Sequence, residues 1–193
     1  MVEQRDLVIY TVGYSTRSID EFIELLKIHN ITLLVDIRAV PRSRHNPQFN
    51  KETLPNTLKT CGVKYLSFPD IGVLQHPKKN SINPALKTSS FRGYADFMQT
   101  KEFLKSLLKL IVLAKENCIA LMCSEALPWS CHRSLLSDVL LVRRVKVLHI
   151  INKDSVLTHQ LNELAYVTGT KVSYPLFNHE ETPQRTLDDF GTV

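Results

Sequence analysis

The sequence predicts a three-layer α/β domain of Rossmann-like type: a mainly parallel five-stranded sheet with helices on both faces. Three observations predict it. Five short runs of strand formers alternate with segments of helical periodicity. Side chains able to do chemistry follow directly on three of those runs, at the strand ends where open α/β sheets hold their ligands. No internal repeat or Gly/Ser linker divides the 193 residues, a length that suits one cored domain better than two.

Residues 7–12 form the first run and end in Gly13-Tyr14-Ser15-Thr16. Ser18 and Glu21 have the spacing of a capping box, and Phe22, Ile23, Leu25, Leu26 and Ile28 give the helix behind it an apolar face. Residues 31–37 are the second strand, carrying Asp36 and followed by Arg38. A basic loop (Pro41-Arg42-Ser43-Arg44-His45) then leads to a helix over 51–60, stopped at Gly62. The third strand covers 63–68. The polar stretch 69–92 is long for a loop within a compact domain, which marks it as functional or mobile. A helix over 93–116, with a break near Thr100, precedes the fourth strand (118–122). A helix over 129–143, a fifth strand over 145–151 and a last helix over 156–167 complete the domain, placed at 1–168. Residues 169–193 read as a polar C-terminal tail for docking a partner.

Composition narrows the function classes. Hydrophobic residues make up 44% and charged residues 22%, ordinary for a soluble globular protein. No apolar stretch approaches the roughly 20 residues of a membrane helix. With no basic-then-apolar leader and four cysteines, the expectation is a cytoplasmic protein with free thiols, leaving open a Cys123–Cys131 disulfide at a redox site. A net charge of +5 favours an anionic partner. Neither a Gly-rich phosphate loop nor a dinucleotide fingerprint is present.

The richest stretch is Leu121-Met-Cys-Ser-Glu-Ala-Leu-Pro-Trp-Ser-Cys-His-Arg133, at a strand-to-helix turn. A helix start there would favour anions and lower a cysteine pKa, with Arg133 adding a bidentate anion contact. Cys131 is a catalytic candidate. It also shares a helical face with Leu135 and Val139, which fits a core position equally. His132 is either catalytic or structural. Glu125 is a candidate acid/base or a helix cap. Asp36 is a candidate base or metal ligand, or an ion-pair partner for Arg38 or Arg133. Tyr14, Ser15, Arg38, Arg42, Arg44, Cys123 and Arg133 are candidate substrate-binding residues. Zinc or another divalent metal on Cys123, Cys131, His132 and His45 is conceivable, although C-x7-C-H lacks the paired spacing of structural zinc sites. No cofactor is otherwise implied. Trp129 occupies the position where a phosphatase- or rhodanese-type cysteine loop needs arginine.

Four blocks, Thr11–Ser15 (TVGYS), Asp36–Arg44 (DIRAVPRSR), Gly93–Met98 (GYADFM) and Cys123–Arg133, together resemble domain-of-unknown-function family 488. The chain departs from the family pattern at Tyr14, where histidine is usual, and in having only Gly72 where a glycine pair is common. The resemblance implies one α/β domain with a polar site and a link to DNA metabolism, and no reaction. In the tail, Gln184, Leu187 and Phe190 resemble the sliding-clamp (PCNA) interaction box, with Gly191 where a further apolar residue is expected.

The leading expectation is therefore an enzyme acting on nucleic acid or a nucleotide-like phosphorylated substrate, in DNA repair. Arg38, Arg42, Arg44 and Arg133 would hold phosphate, Asp36 and Glu125 would move protons, and Cys131 with His132 would complete the site. Two other classes fit the same residues: a non-catalytic adaptor for nucleic acid or protein, and a thiol-redox or small-metabolite enzyme.

Overall fold

Residues 7–176 are described by the computed structural model. Val8–Gly13 (β1), Leu33–Asp36 (β2), Lys64–Ser67 (β3), Ile119–Cys123 (β4) and Lys146–Asn152 (β5) lie parallel in one sheet. Ser155–Thr158 (β6) extends it antiparallel to β5, giving six strands in the order β3-β2-β4-β1-β5-β6. Placing β4 between β1 and β2 brings three carboxyl ends side by side.

Strand alternation sends successive side chains to opposite faces. Val12, Leu34, Ala120 and Met122 meet Ile19–Ile28 (α1) and Leu54–Thr60 (α2) through Phe22, Leu25, Leu26, Leu54 and Leu58. Ile9, Val35, Ile119, Leu121 and Val147 meet Ser89–Phe97 (α3), Lys101–Glu116 (α4) and Arg133–Leu141 (α5) on the other face. The β2 and β4 side chains are buried on both faces, so these strands carry no polar alternation. Each fully buried Leu or Phe contributes about 2 kcal/mol of hydrophobic stabilisation.

Local signals hold well in α1. Ser18 Oγ accepts from the Glu21 N–H at 3.2 Å, and Glu21 Oε2 accepts from the Ser18 N–H at 2.7 Å. The break expected near Thr100 is real, separating α3 from α4. The Thr100 side chain caps α4 by accepting from the Phe103 N–H. Residues 128–130 form a short 3-10 turn, so α5 begins only at Arg133.

The expected helix over 156–167 does not form. Asn152 Oδ1 accepts from the Asp154 N–H, closing a side-chain turn that sends Ser155–Thr158 back along β5. The next residues are held by Asp138 on α5, which accepts from His159 and the Asn162 N–H. These tertiary contacts prevail over the apolar spacing of Val156, Leu161 and Leu164. Tyr166–Thr168 (β7) and Lys171–Ser173 (β8) then pair around Gly169, at φ 59°. The core takes in residues beyond Gly169: Val172 and Tyr174 are buried, and Tyr174 donates to Asp138 Oδ2 at 2.6 Å. Among the described residues no helix is long and apolar enough to cross a membrane.

The 69–92 stretch is pinned rather than loose. Asp96 on α3 accepts from the Lys78 N–H, the Ser81 hydroxyl and the Asn83 amide. The Asn83 side-chain oxygen Oδ1 in turn accepts from the Tyr174 N–H. This positions Leu74, Ser90 and Phe91 as one wall of a cavity above the sheet edge.

Candidate functional site

The carboxyl ends of β1, β2 and β4 open into a cavity of about 410 Å3, within the usual range for small-molecule sites of about 300–1,000 Å3. Its lining includes Tyr14, Arg38, Arg42, Cys123, Glu125, Cys131 and His132. Seven residues singled out in the sequence thus reach one space. Ser15, Asp36, Arg44 and Arg133 are outside that lining.

Asp36 and Arg38 form one assembly on the α1/α2 side of the edge. Arg38 Nε and Nη2 donate to the two Asp36 carboxylate oxygens at 2.8 and 2.6 Å, and Nη2 also donates to the Phe49 carbonyl at 2.6 Å. Tyr65, which the sequence did not single out, donates its hydroxyl to Asp36 Oδ2 at 2.7 Å. Asp36 is wholly buried and Arg38 nearly so. Burial alone would lower the Arg38 pKa, but the Asp36 contact outweighs it and the guanidinium stays charged. The Asp36 carboxylate faces this assembly and not the cavity. Tyr14 stacks on Phe49 with centroids 4.4 Å apart, and its hydroxyl accepts from Arg38 Nη1 at 3.3 Å. It is a wall of the cavity held by the same arginine.

Arg133 lies on the opposite side and is 1% exposed. Its guanidinium donates to the Glu125 and Ala126 carbonyls and, at 3.4 Å, to the Thr11 hydroxyl. It therefore shapes the β4–α5 turn from beneath. Gly13 lets that turn approach: a Cβ there would lie 1.7 Å from the Glu125 carbonyl oxygen. Ser15, at φ 42°, donates its N–H to the Ser124 carbonyl at 2.8 Å and anchors the same turn. Held this way, the turn presents the exposed Glu125 to the cavity.

Cys123 and Cys131 are buried free thiols. Their sulfurs and one His132 ring nitrogen all lie within 4.8 Å of one another, and Cys131 Sγ is 3.7 Å from His132 Nδ1. A hydrogen bond from the Cys123 thiol, aided by the Arg133 charge and backbone N–H, lowers the Cys131 pKa to about 6 against the effect of burial. The same hydrogen bond, together with burial, pushes Cys123 up. Burial lowers the His132 pKa, so the ring favours its neutral form. The ring lies 4.9 Å from that of Tyr94, and its Nε2 has no hydrogen-bond partner. Cys131 borders the cavity and also packs in the core cluster with Leu135 and Val139, from a position just before α5 and not within it. Arg42 is exposed at the lip, donating to Glu52 at 2.9 Å, and Arg44 is exposed beyond it. His45, the fourth ligand considered from sequence, is exposed and is no member of the Cys123–Cys131–His132 group.

Residues 18–140, more than half of the chain, match the family model described as domain of unknown function DUF488. The chain belongs to that family. The matched region ends inside α5 and contains α1, β2 to β4, the Asp36–Arg38 pair and the Cys123–Arg133 turn. No curated protein and no solved structure matches the chain.

A buried polar chain, invisible to motif reading, runs from Arg133 away from the cavity. Thr11 Oγ1 is 2.7 Å from His149 Nδ1, His149 Nε2 is 3.0 Å from His159 Nδ1, and His159 Nε2 is 2.9 Å from Asp138 Oδ1. The signal for it was His149, a polar residue inside the apolar run Val147-Leu-His-Ile-Ile151. Burial first, then the His159 and Arg133 charges, lower His149 to about 3. The unfolded chain takes up that proton near pH 6.5. Stability from neutral His149 is therefore complete above about pH 6.5 and is lost as pH falls toward 3. The urea midpoint should fall less between pH 7 and pH 4 in His149→Gln than in the parent protein. Equal falls would assign the acid sensitivity elsewhere.

Proposed function

We propose that this protein is an enzyme acting on a phosphorylated, nucleotide-like substrate, free or as part of a nucleic acid. The observation that carries this reading is the cavity. The guanidinium of Arg42, the carboxylate of Glu125, the Cys131 thiol and the His132 imidazole line one space of small-molecule size. In this reading Arg42 holds the phosphate, with Arg44 adding to the basic approach. Glu125 is the acid/base group. Cys131 and His132 contact the substrate's reacting end. Arg38 and Arg133 are positioning residues, because Arg38 is engaged with Asp36 and Phe49, and both terminal nitrogens of Arg133 are engaged with Thr11 and the Glu125 turn. Asp36 holds Arg38 in place and moves no proton.

A second reading, thiol chemistry at Cys131 with Cys123 as its partner, is favoured by the closeness of the two sulfurs. The tail residues Gln184, Leu187 and Phe190 lie outside the described residues. Their spacing supports the nucleic-acid form of the proposal, with the tail docking a sliding clamp during repair.

The test is a turnover and binding screen over nucleotides, phosphate esters and DNA ends. Glu125→Gln should reduce kcat by about 10²–10⁴-fold and leave affinity intact. Arg42→Ala should weaken binding about tenfold and flatten its salt dependence. Full function in Glu125→Gln, with binding lost in Arg42→Ala, would establish the adaptor class instead.

A further inference from the structure

We infer that Cys123, Cys131 and His132 are a binding site for a thiophilic divalent cation of the zinc class, with its fourth position open to the cavity. This goes beyond the substrate reading above, because it gives Cys131 and His132, placed there at the substrate's reacting end, an ion to hold.

Donor type is the first support. Two sulfurs and an imidazole nitrogen form a soft set that suits zinc and disfavours magnesium or calcium. Distance is the second. A tetrahedral zinc ion with bonds of about 2.3 Å to sulfur and 2.0–2.1 Å to nitrogen holds its ligand atoms about 3.5–3.8 Å apart. Cys131 Sγ and His132 Nδ1 are already separated by 3.7 Å, and all three ligand atoms fall within 4.8 Å of one another. Only a shift of the size of a rotamer adjustment is needed to close on an ion.

The third support is that the ligands are held by the fold. Cys123 ends β4, between β1 and β2, and Cys131 follows the 3-10 turn of Pro128–Ser130. His132 immediately precedes α5 and packs against Tyr94, whose own hydroxyl is fixed on the Ile71 carbonyl at 2.8 Å. His132 Nε2 is buried and without a hydrogen-bond partner, as are His29 Nε2 and Arg133 Nε among the described residues. A ring bound through Nδ1 would carry its proton on Nε2. All three ligands border the cavity that Glu125, Ser124 and Ser130 also line. Three protein ligands with one open side is the pattern of catalytic zinc sites, whereas structural sites close with four.

The sequence reading disfavoured zinc because C-x7-C-H lacks paired spacing. The fold removes that objection, since Cys123 and Cys131 come from two different elements and the turn between them supplies the missing proximity.

The experiment is titration of full-length, metal-stripped, reduced protein with Co²⁺, followed in the visible and near-ultraviolet and then displaced by Zn²⁺. The expected result is about one equivalent bound, with tetrahedral d–d bands and sulfur-to-cobalt charge-transfer absorption that Zn²⁺ abolishes. Cys123→Ser, Cys131→Ser and His132→Gln should each weaken binding more than about tenfold, while His45→Ala leaves it unchanged. Circular dichroism checks that each variant is folded. Octahedral spectra, no saturable binding, or a Cys131→Ser protein that binds as the parent does would overturn the inference. So would a Cys123–Cys131 disulfide that persists under reductant. Nucleotide binding to the metal-stripped protein separates the two proposals. Its survival without a metal site rejects only this inference, and its absence with an intact metal site rejects only the substrate reading.

Discussion

Replacing Arg133 with methionine is expected to destabilise the fold by about 3 kcal/mol or more. The methionine fills much of the volume, so the loss reports hydrogen bonding more than a cavity. Arg133 is 1% exposed and donates to two carbonyls and a hydroxyl. Each buried acceptor left unpaired costs about 1–3 kcal/mol, partly offset because a buried cation has been removed. Lysine should recover little, since one ammonium cannot reproduce a fork that spans Glu125, Ala126 and Thr11. Urea unfolding measures the effect, and a loss below about 1 kcal/mol would show that the turn keeps its shape without the arginine. The functional consequence follows from geometry: Glu125 sits on the turn that Arg133 supports, so turnover should fall even though Arg133 is outside the cavity lining.

Asp36→Asn should cost about 3–5 kcal/mol, because it leaves the Arg38 cation buried without its counter-charge. The pair is almost fully excluded from water, with side-chain exposures of 6% and 0% and a 2.6 Å contact. Asparagine also gives up the acceptor used by the Tyr65 hydroxyl or places an amide N–H against it. The double variant Asp36→Asn/Arg38→Met should recover much of the loss, since removing both charges also removes their desolvation penalty. A double variant that is as unstable as the sum of the singles would mean that the two residues act independently. By contrast, the exposed Arg42–Glu52 pair should contribute little to stability, which frees Arg42 to exchange Glu52 for a substrate anion.

The fold class was legible wherever a local signal and tertiary packing agree. Ser18 and Glu21 announced α1, and the apolar runs announced β1, β2, β4 and β5. Prediction failed at 156–167, where apolar spacing suggests a helix. The outcome was decided by contacts remote in sequence, the Asn152 turn and the grip of Asp138 on His159 and Asn162. The site was legible as a set of residues converging on one sheet edge, because parallel strands share their carboxyl ends. The roles within it were not. Period-two alternation places Leu34 and Asp36 on the α1/α2 side, and Leu121 and Cys123 on the α5 side. Which arginines are spent on the protein itself depended on acceptors that no motif reveals: the Phe49 carbonyl for Arg38 and the Glu125 carbonyl for Arg133. Tyr65 was missed for the same reason, as a tyrosine on an edge strand gives no sign of a buried carboxylate at the end of the neighbouring strand.

The proposed function requires that one cavity, lined by Arg42, Glu125, Cys131 and His132, receives a phosphorylated substrate. The most direct measurement is a crystal structure of the full-length protein soaked with a nucleoside monophosphate. The expected result is the phosphate within hydrogen-bonding distance of the Arg42 guanidinium, in place of Glu52, with the rest of the ligand inside the cavity. A ligand seated beside His149 and His159, or scattered over surface lysines with this cavity empty at saturating concentration, would contradict it.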